Sequence, residues 1–274
     1  MFSVGLTRQR ASRPHLWSLE MNRRPTHRRP LALAAVVLPI ALAACGRVPG
    51  QFEILNDQVP VTSNGGCSIP VDPTVYQGEG TLDLSIVRGD FLSAYFVFPL
   101  IENNLPASPS NTSIDPNEIQ LSGFQIDIAP IGAPPPSSIQ SVFTNAGTLV
   151  HYQIPWSGGI KSGGGQLSAS VAAFPVELAQ ALLAAGGIGA DPSVTVDLTI
   201  EALGTTNSGS HMQSDPFHFP VSLCSGCLVA NVAPCPYAAA PTNLGNSCNP
   251  AQDMPVDCCT DNGSLICPPT VAAQ

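Results

Sequence analysis

Seven of the nine cysteines of this 274-residue chain fall between Cys224 and Cys267, and an eighth, Cys67, stands far ahead of them. Cys258 and Cys259 are neighbours, and α-carbons about 3.8 Å apart lie closer than a disulfide ordinarily permits. The two must take different partners, which ties two loops to one point. Spacing alone leaves the pairing open. If Cys67, Cys224, Cys227, Cys235, Cys248, Cys258, Cys259 and Cys267 all pair, Cys67 bonds into the C-terminal group. Such links would hold a tail, residues 230–274, whose large apolar residues are too sparse for a core of its own.

Ahead of that tail the hydrophobic pattern has period two. Val194, Val196, Leu198 and Ile200 alternate with Thr195, Asp197, Thr199 and Glu201, as in a half-buried strand. Phe124, Ile126 and Ile128 alternate with Gln125 and Asp127, and Leu82, Leu84 and Ile86 with Thr81, Asp83 and Ser85. Further strands are predicted over residues 94–101, 148–154, 166–171 and 217–223, with turn-rich stretches at 106–117, 130–138 and 157–165. Runs of strands punctuated by Pro and Gly predict an all-β fold, an antiparallel Ig-like β-sandwich over residues 67–229. One short helix is predicted, from Pro175 in a first turn through an Ala- and Leu-rich run to a stop at Gly186.

The ninth cysteine has a different setting. Arg23, Arg24, Arg28 and Arg29 precede a twelve-residue apolar stretch, Leu31 to Leu42, and Leu42-Ala43-Ala44-Cys45 closes it. Spanning a bilayer takes about 20 apolar residues, so this run is too short for a transmembrane helix and fits a secretory signal. The segment resembles the signal of bacterial lipoproteins. That resemblance implies cleavage between Ala44 and Cys45, a diacylglyceryl group on the Cys45 sulfur and acylation of the new amino terminus, with palmitate as the expected chain. Counted from Met1 the signal has 44 residues; counted from Met21 it has 25 and falls within the usual range, so Met21 is the preferred start. Residues 45–66 then read as a tether.

Cleavage would change the charge. The remaining chain keeps Arg47, Arg88 and Lys161 against 18 Asp and Glu, a formal −15. So acidic a domain repels phosphate backbones and anionic lipid headgroups, which argues against nucleic acid as a partner. Membrane attachment then falls to acyl chains, of which two anchor stably where one binds only marginally.

Motifs for catalysis are missing. There is no Gly-x-Ser-x-Gly elbow, His-Glu-x-x-His pair, phosphate loop or dinucleotide fingerprint, and nothing calls for a cofactor. Cys224-Ser225-Gly226-Cys227 lacks a second ligand pair at zinc-finger spacing and the βαβ context of a redox motif, so it reads as a structural disulfide. Ser214, His211 and Asp215 contain the residue types of a triad, but local adjacency is not the arrangement that chemistry requires. His151 and His218 fall on outward or edge positions of their strands. Asp115 with Glu118, and Asp257 with Asp261 and Asn262, are sparse beside a calcium loop and read as turn and surface residues. Trp156 beside Gly158 and Gly159 is a candidate sugar-stacking ring, though a lone Trp at a strand end more often packs.

Two stretches carry a further resemblance. Tyr95-Phe96-Val97-Phe98-Pro99-Leu100-Ile101-Glu102-Asn103-Asn104-Leu105, with Asn117-Glu118-Ile119-Gln120-Leu121-Ser122-Gly123-Phe124, is similar to uncharacterised Cys-rich lipoproteins of myxobacteria and related bacteria. So is Phe217-His218-Phe219-Pro220-Val221-Ser222-Leu223-Cys224-Ser225-Gly226-Cys227-Leu228 with the tail. The resemblance implies a lipidated, disulfide-bonded, extracytoplasmic protein and supplies no activity. The expectation is a structural or binding lipoprotein of the cell envelope, meeting an envelope protein or glycan through its loops. Gly46, where an aspartate would resemble an inner-membrane retention signal, points to the outer membrane. The rival is an envelope hydrolase whose site assembles from scattered residues.

Overall fold

The computed structural model describes residues 50–63, 66–87, 94–109, 114–191 and 194–268, so Ala44, Cys45 and the signal segment lie outside the described residues. In chain order the first elements are β1 (Phe52–Gln58), β2 (Val61–Ser63), β3 (Gly66–Ser68), β4 (Tyr76–Gln77) and β5 (Gly80–Asp83). Next come β6 (Tyr95–Val97), β7 (Pro99–Asn103), β8 (Ile119–Ile131), α1 (Ser137–Asn145), β9 (His151–Ile160), β10 (Gly165–Ser168) and β11 (Val171–Phe174). The last are α2 (Val176–Ala185), β12 (Val194–Thr206), β13 (His211–Gln213), β14 (Phe217–Cys224), β15 (Val229–Pro234), β16 (Val256–Asp261) and β17 (Ser264–Ile266).

The fold is mostly β, and its largest sheet is built on β12. The order is β5-β14-β12-β8-β9, with β13 added beside β12. Along β12 the predicted alternation holds residue by residue: Val194, Val196, Leu198, Ile200 and Ala202 are buried, and the residues between them are half-buried. A large apolar side chain contributes roughly 1.5–3 kcal/mol on full burial. A one-residue slip would turn Asp197 and Glu201 inward, so this face fixes the register. On β8 the inward residues change parity, from Ile119 and Leu121 to Phe124, Ile126 and Ile128. A bulge at Ser122-Gly123 makes the change, shifting the register against both neighbours and keeping one apolar face throughout.

A second sheet, ordered β10-β7-β1-β4, and the pair β11-β6 contribute to the same core. Residues 52–58, which the sequence reads as part of a tether, are therefore β1, hydrogen-bonded between β7 and β4 with Phe52 and Ile54 buried. Two pairs depart from the antiparallel expectation: β5 runs parallel to β14, and β15 parallel to β16. The stretch at 82–86 is strand only to Asp83, after which residues 84–86 turn while Leu84 and Ile86 stay buried.

There are two helices among the described residues, where the sequence predicts one. α2 lies where expected: its chain enters through Pro175 and leaves through Gly186 at φ +69°. α1 packs beside it and buries Ile139 and Phe143, an i, i+4 pair; it begins at the end of the turn-rich stretch 130–138 and runs through residues for which the sequence predicts no element. The tail forms the small sheet β15-β16-β17 and docks on the rest through the isolated bridge Leu82↔Gln252.

Candidate functional site

The eight cysteines from Cys67 onward form four disulfides: Cys67–Cys248, Cys224–Cys227, Cys235–Cys259 and Cys258–Cys267. The adjacent Cys258 and Cys259 take different partners, both within the tail. Cys67 reaches across 181 residues to staple the β2-β3 hairpin to the tail.

Among the described residues Lys161 is the only Lys or Arg. Apart from Asp127 and Asp197, which meet histidines, the buried carboxyl groups described are answered by amides, hydroxyls and backbone N–H groups. Asp257 shows how. Its oxygens accept from Asn231 Nδ2, Asn243 Nδ2 and the backbone N–H groups of Thr242 and Asn243. Those donors, led by Asn243 and Asn231, hold its acid well below the ordinary carboxylate range. Asp257 thus organises the tail's turns, and the donors around it leave no cation shell to share with Asp261. Asp115 is likewise engaged by Ser162 Oγ at 2.7 Å and by Asn117 N–H, which lower its acid, the Ser162 hydroxyl most.

The triad candidates do not converge. Ser214 is buried, its hydroxyl donating to the Asp215 carbonyl and accepting from Ala202 N–H. His211 is exposed, with Nδ1 3.4 Å from Thr205 Oγ1. Trp156 packs edge-on against Phe124, with ring centroids 6.2 Å apart, and covers Gly158, where a Cβ would lie 2.4 Å from the indole. Its ring is part of the packing around the core rather than an open platform.

The structure does assemble one polar constellation on the outward side of the large sheet. His151, Asp127, Thr199 and His218 are successive partners across β9, β8, β12 and β14. Asp127 contacts His151 Nδ1, and Asp197 contacts His218 Nδ1 at 2.7 Å. Each ring thus has one nitrogen oriented by a carboxylate and Nε2 left for a further contact. Sequence reasoning found the outward positions of both histidines but not the row, because register joins residues up to 91 positions apart only after the strands pair.

A second constellation is buried where the tail meets the sheets. Asp57 accepts from Phe98 N–H and from Gln77 Nε2 at 2.8 Å. Tyr95 donates to Asp253 Oδ1, which also accepts from Thr81 N–H, and Gln252 brackets the β6 backbone by bonding both Phe96 N–H and Phe96 C=O. Burial pushes the Asp57 acid up to about 7 and raises that of Asp253, while burial beside these two carboxyls raises the Tyr95 phenol. Every buried side-chain polar atom among the described residues has a partner. The cluster therefore reads as a joint between sheets and tail.

Compared with models of protein families, with curated proteins and with solved structures, the chain matches none.

Proposed function

We propose that this chain is a lipid-anchored lipoprotein of the bacterial envelope with a structural or binding role, attached through Cys45 after cleavage behind Ala44. One observation carries the reading. The eight cysteines after Cys45 are consumed in four disulfides with one another, which leaves the lipobox cysteine outside the pairing scheme. Disulfides in that number belong to an oxidising compartment, and a lipid on Cys45 would hold the acidic domain at an anionic membrane. The outer membrane is the proposed location, on the strength of Gly46.

The two sheets sharing one core support reading the domain as a variant Ig-like sandwich, with β5 added in parallel. The outward face bearing His151, Asp127, Asp197 and His218 and the loops at its rim offer polar contacts to an envelope protein or glycan.

The deciding experiment expresses the full chain and a Cys45→Ser variant in a bacterium with a lipoprotein pathway. Wild type is expected in the outer-membrane fraction with a diacylglyceryl group and palmitate on its amino-terminal peptide, and the variant without either. An unmodified wild-type Cys45, or recovery only from the inner membrane, would overturn the anchoring or the location respectively. Pull-downs with both forms then read the partner, and identical partners would show that recognition does not depend on the anchor.

A further inference from the structure

Three of the four disulfides join segments 181, 24 and 9 residues apart, whereas Cys224–Cys227 closes a separation of only 3. A disulfide stabilises in proportion to the loop entropy it removes, so this one adds least to the fold. The loop it closes is held without it. Ser225 N–H donates to Gly189 C=O, Gly226 N–H to Asp83 Oδ1 and Leu228 N–H to Asp83 Oδ2, at 2.8, 2.8 and 2.9 Å. Gly226 supplies the left-handed turn at φ +92°. Asp83 is fully buried at the end of β5, beside Cys224 in the parallel register.

The two sulfurs are not equivalent. Cys224 is fully buried, with the Leu82 carbonyl oxygen 3.6 Å from its sulfur, whereas Cys227 is partly exposed. A thiolate from solvent can reach only Cys227, and attack in line with the S–S bond then expels Cys224 inward. The expelled sulfur meets an acceptor already in place. An Asp83 oxygen also lies within 4.8 Å of both sulfurs. Among the described residues Oδ1 accepts from Ser85 N–H, Ser85 Oγ and Gly226 N–H, and Oδ2 accepts from Leu228 N–H alone, which leaves it a second lone-pair position.

We propose that Cys224–Cys227 is a thiol–disulfide exchange site, with Cys227 as the sulfur attacked, Cys224 as the buried leaving and resolving thiol, and Asp83 as the clamp that keeps the loop in place through the cycle. The partner is a protein dithiol. Its first thiolate bonds to Cys227 Sγ, and the S–S bond breaks with its electron pair going to Cys224 Sγ. Cys224 takes the proton given up by the partner's first thiol at the attacked bond and donates to Leu82 C=O. The partner's second thiolate then attacks the partner sulfur in the mixed disulfide, and Cys227 leaves and is protonated. The partner dithiol is oxidised to a disulfide, and Cys224–Cys227 is reduced by two electrons and two protons. In reverse, the reduced pair opens a partner's disulfide. No thioredoxin-like βαβ unit is needed to hold the loop, because Asp83 accepts from its Gly226 and Leu228 N–H groups; a carboxylate disfavours a neighbouring thiolate where a helix N-terminus favours one, so Cys224 leaves as the protonated thiol.

Two measurements test this on the full exported chain. In graded dithiothreitol buffers quenched by alkylation, peptide mass spectrometry is expected to find Cys224 and Cys227 opened at a reductant concentration about tenfold below that needed for the other six cysteines. Near-UV circular dichroism should be unchanged at that point. Opening together with or after the others, or with loss of the tertiary signal, would overturn the proposal. With an aromatic disulfide probe, Cys224→Ser should form a mixed disulfide at Cys227 at least about tenfold faster than Cys227→Ser does at Cys224. Equal or reversed rates would show that the sulfurs are not ordered for exchange.

Discussion

The Tyr95 hydroxyl donates a 2.9 Å hydrogen bond to Asp253 Oδ1, joining a fully buried residue of β6 to a tail loop 158 residues further along the chain. Gly80 lies beneath that hydroxyl, since a Cβ there would come within 1.9 Å of the phenol oxygen. Asp253 itself adopts φ +65°, a conformation Asp tolerates better than most residues, and its carboxyl also receives Thr81 N–H. The phenol thus joins the Gln252 bonds and the Cys67–Cys248 link in placing the tail.

Replacing Tyr95 by Phe should remove that bond while keeping the ring. The loss of a buried hydrogen bond to a carboxyl group costs about 1–3 kcal/mol. Urea unfolding at near-neutral pH should show a lower midpoint with an unchanged slope. A change below about 0.5 kcal/mol would mean that the tail is held by its other contacts and by the Cys67–Cys248 link alone.

Asp57 gives the joint a pH dependence. Burial, the largest influence, raises its acid from 3.8 to about 7 against the lowering effect of the Phe98 and Gln77 bonds. Between those values the native state holds a proton that the unfolded chain has released. The stability this contributes is full below about pH 4 and is lost as pH rises through about 7. At about 1.4 kcal/mol per pH unit the loss is of the order of 4 kcal/mol. Asp57→Asn carries no charge and keeps an oxygen for Phe98 N–H, so it should flatten this dependence and be more stable than wild type at about pH 8. Parallel stability curves for the two proteins from acid to mild alkali would refute the assignment.

The disulfides differ in what they constrain. Removing the Cys67–Cys248 link frees a segment of 181 residues, and removing Cys258–Cys267 frees 9. Chain entropy puts the two losses at about 5 and about 3 kcal/mol. Paired Ser substitutions should therefore lower the thermal midpoint more for the first link than for the second. The reverse order would show that the tail's own packing, rather than its attachment, limits stability.

The large sheet was legible because β12 alternates without interruption, and α2 because Pro175 and Gly186 mark its ends. β1 was not: Phe52 and Ile54 alternate, but the register shifts between Ile54 and Asn56 and the strand closes on two buried polar residues, Asp57 and Gln58. Polar residues ending an apolar run read as surface. β9 was cut short because Pro155, Gly158 and Gly159 signal turns, yet β9 is an edge strand, where proline is tolerated. Its glycine at 158 makes room for Trp156. The buried joint had no local spacing to betray it. Its signal was indirect: a chain so poor in Lys and Arg must answer its carboxyl groups with amides and backbone N–H groups, as Gln77, Gln252, Asn231 and Asn243 do.

Gly123 offers the sharpest test of the β8 bulge. A Cβ at this position would lie 2.4 Å from the Ile154 carbonyl oxygen of β9, and that atom is backbone within a paired strand, so it has no rotamer into which to retreat. Gly123→Ala must therefore push β9 away from β8 or undo the bulge that returns Phe124, Ile126 and Ile128 to the core. Strain of this kind costs about 1–3 kcal/mol. The larger loss should appear as faster hydrogen exchange at the β8–β9 amides from Leu121 to Ile126, with the β12–β14 amides unaffected. Uniform acceleration across the sheet would mean that the bulge is not an independent register device, and no acceleration would mean that the backbone accommodates the methyl group.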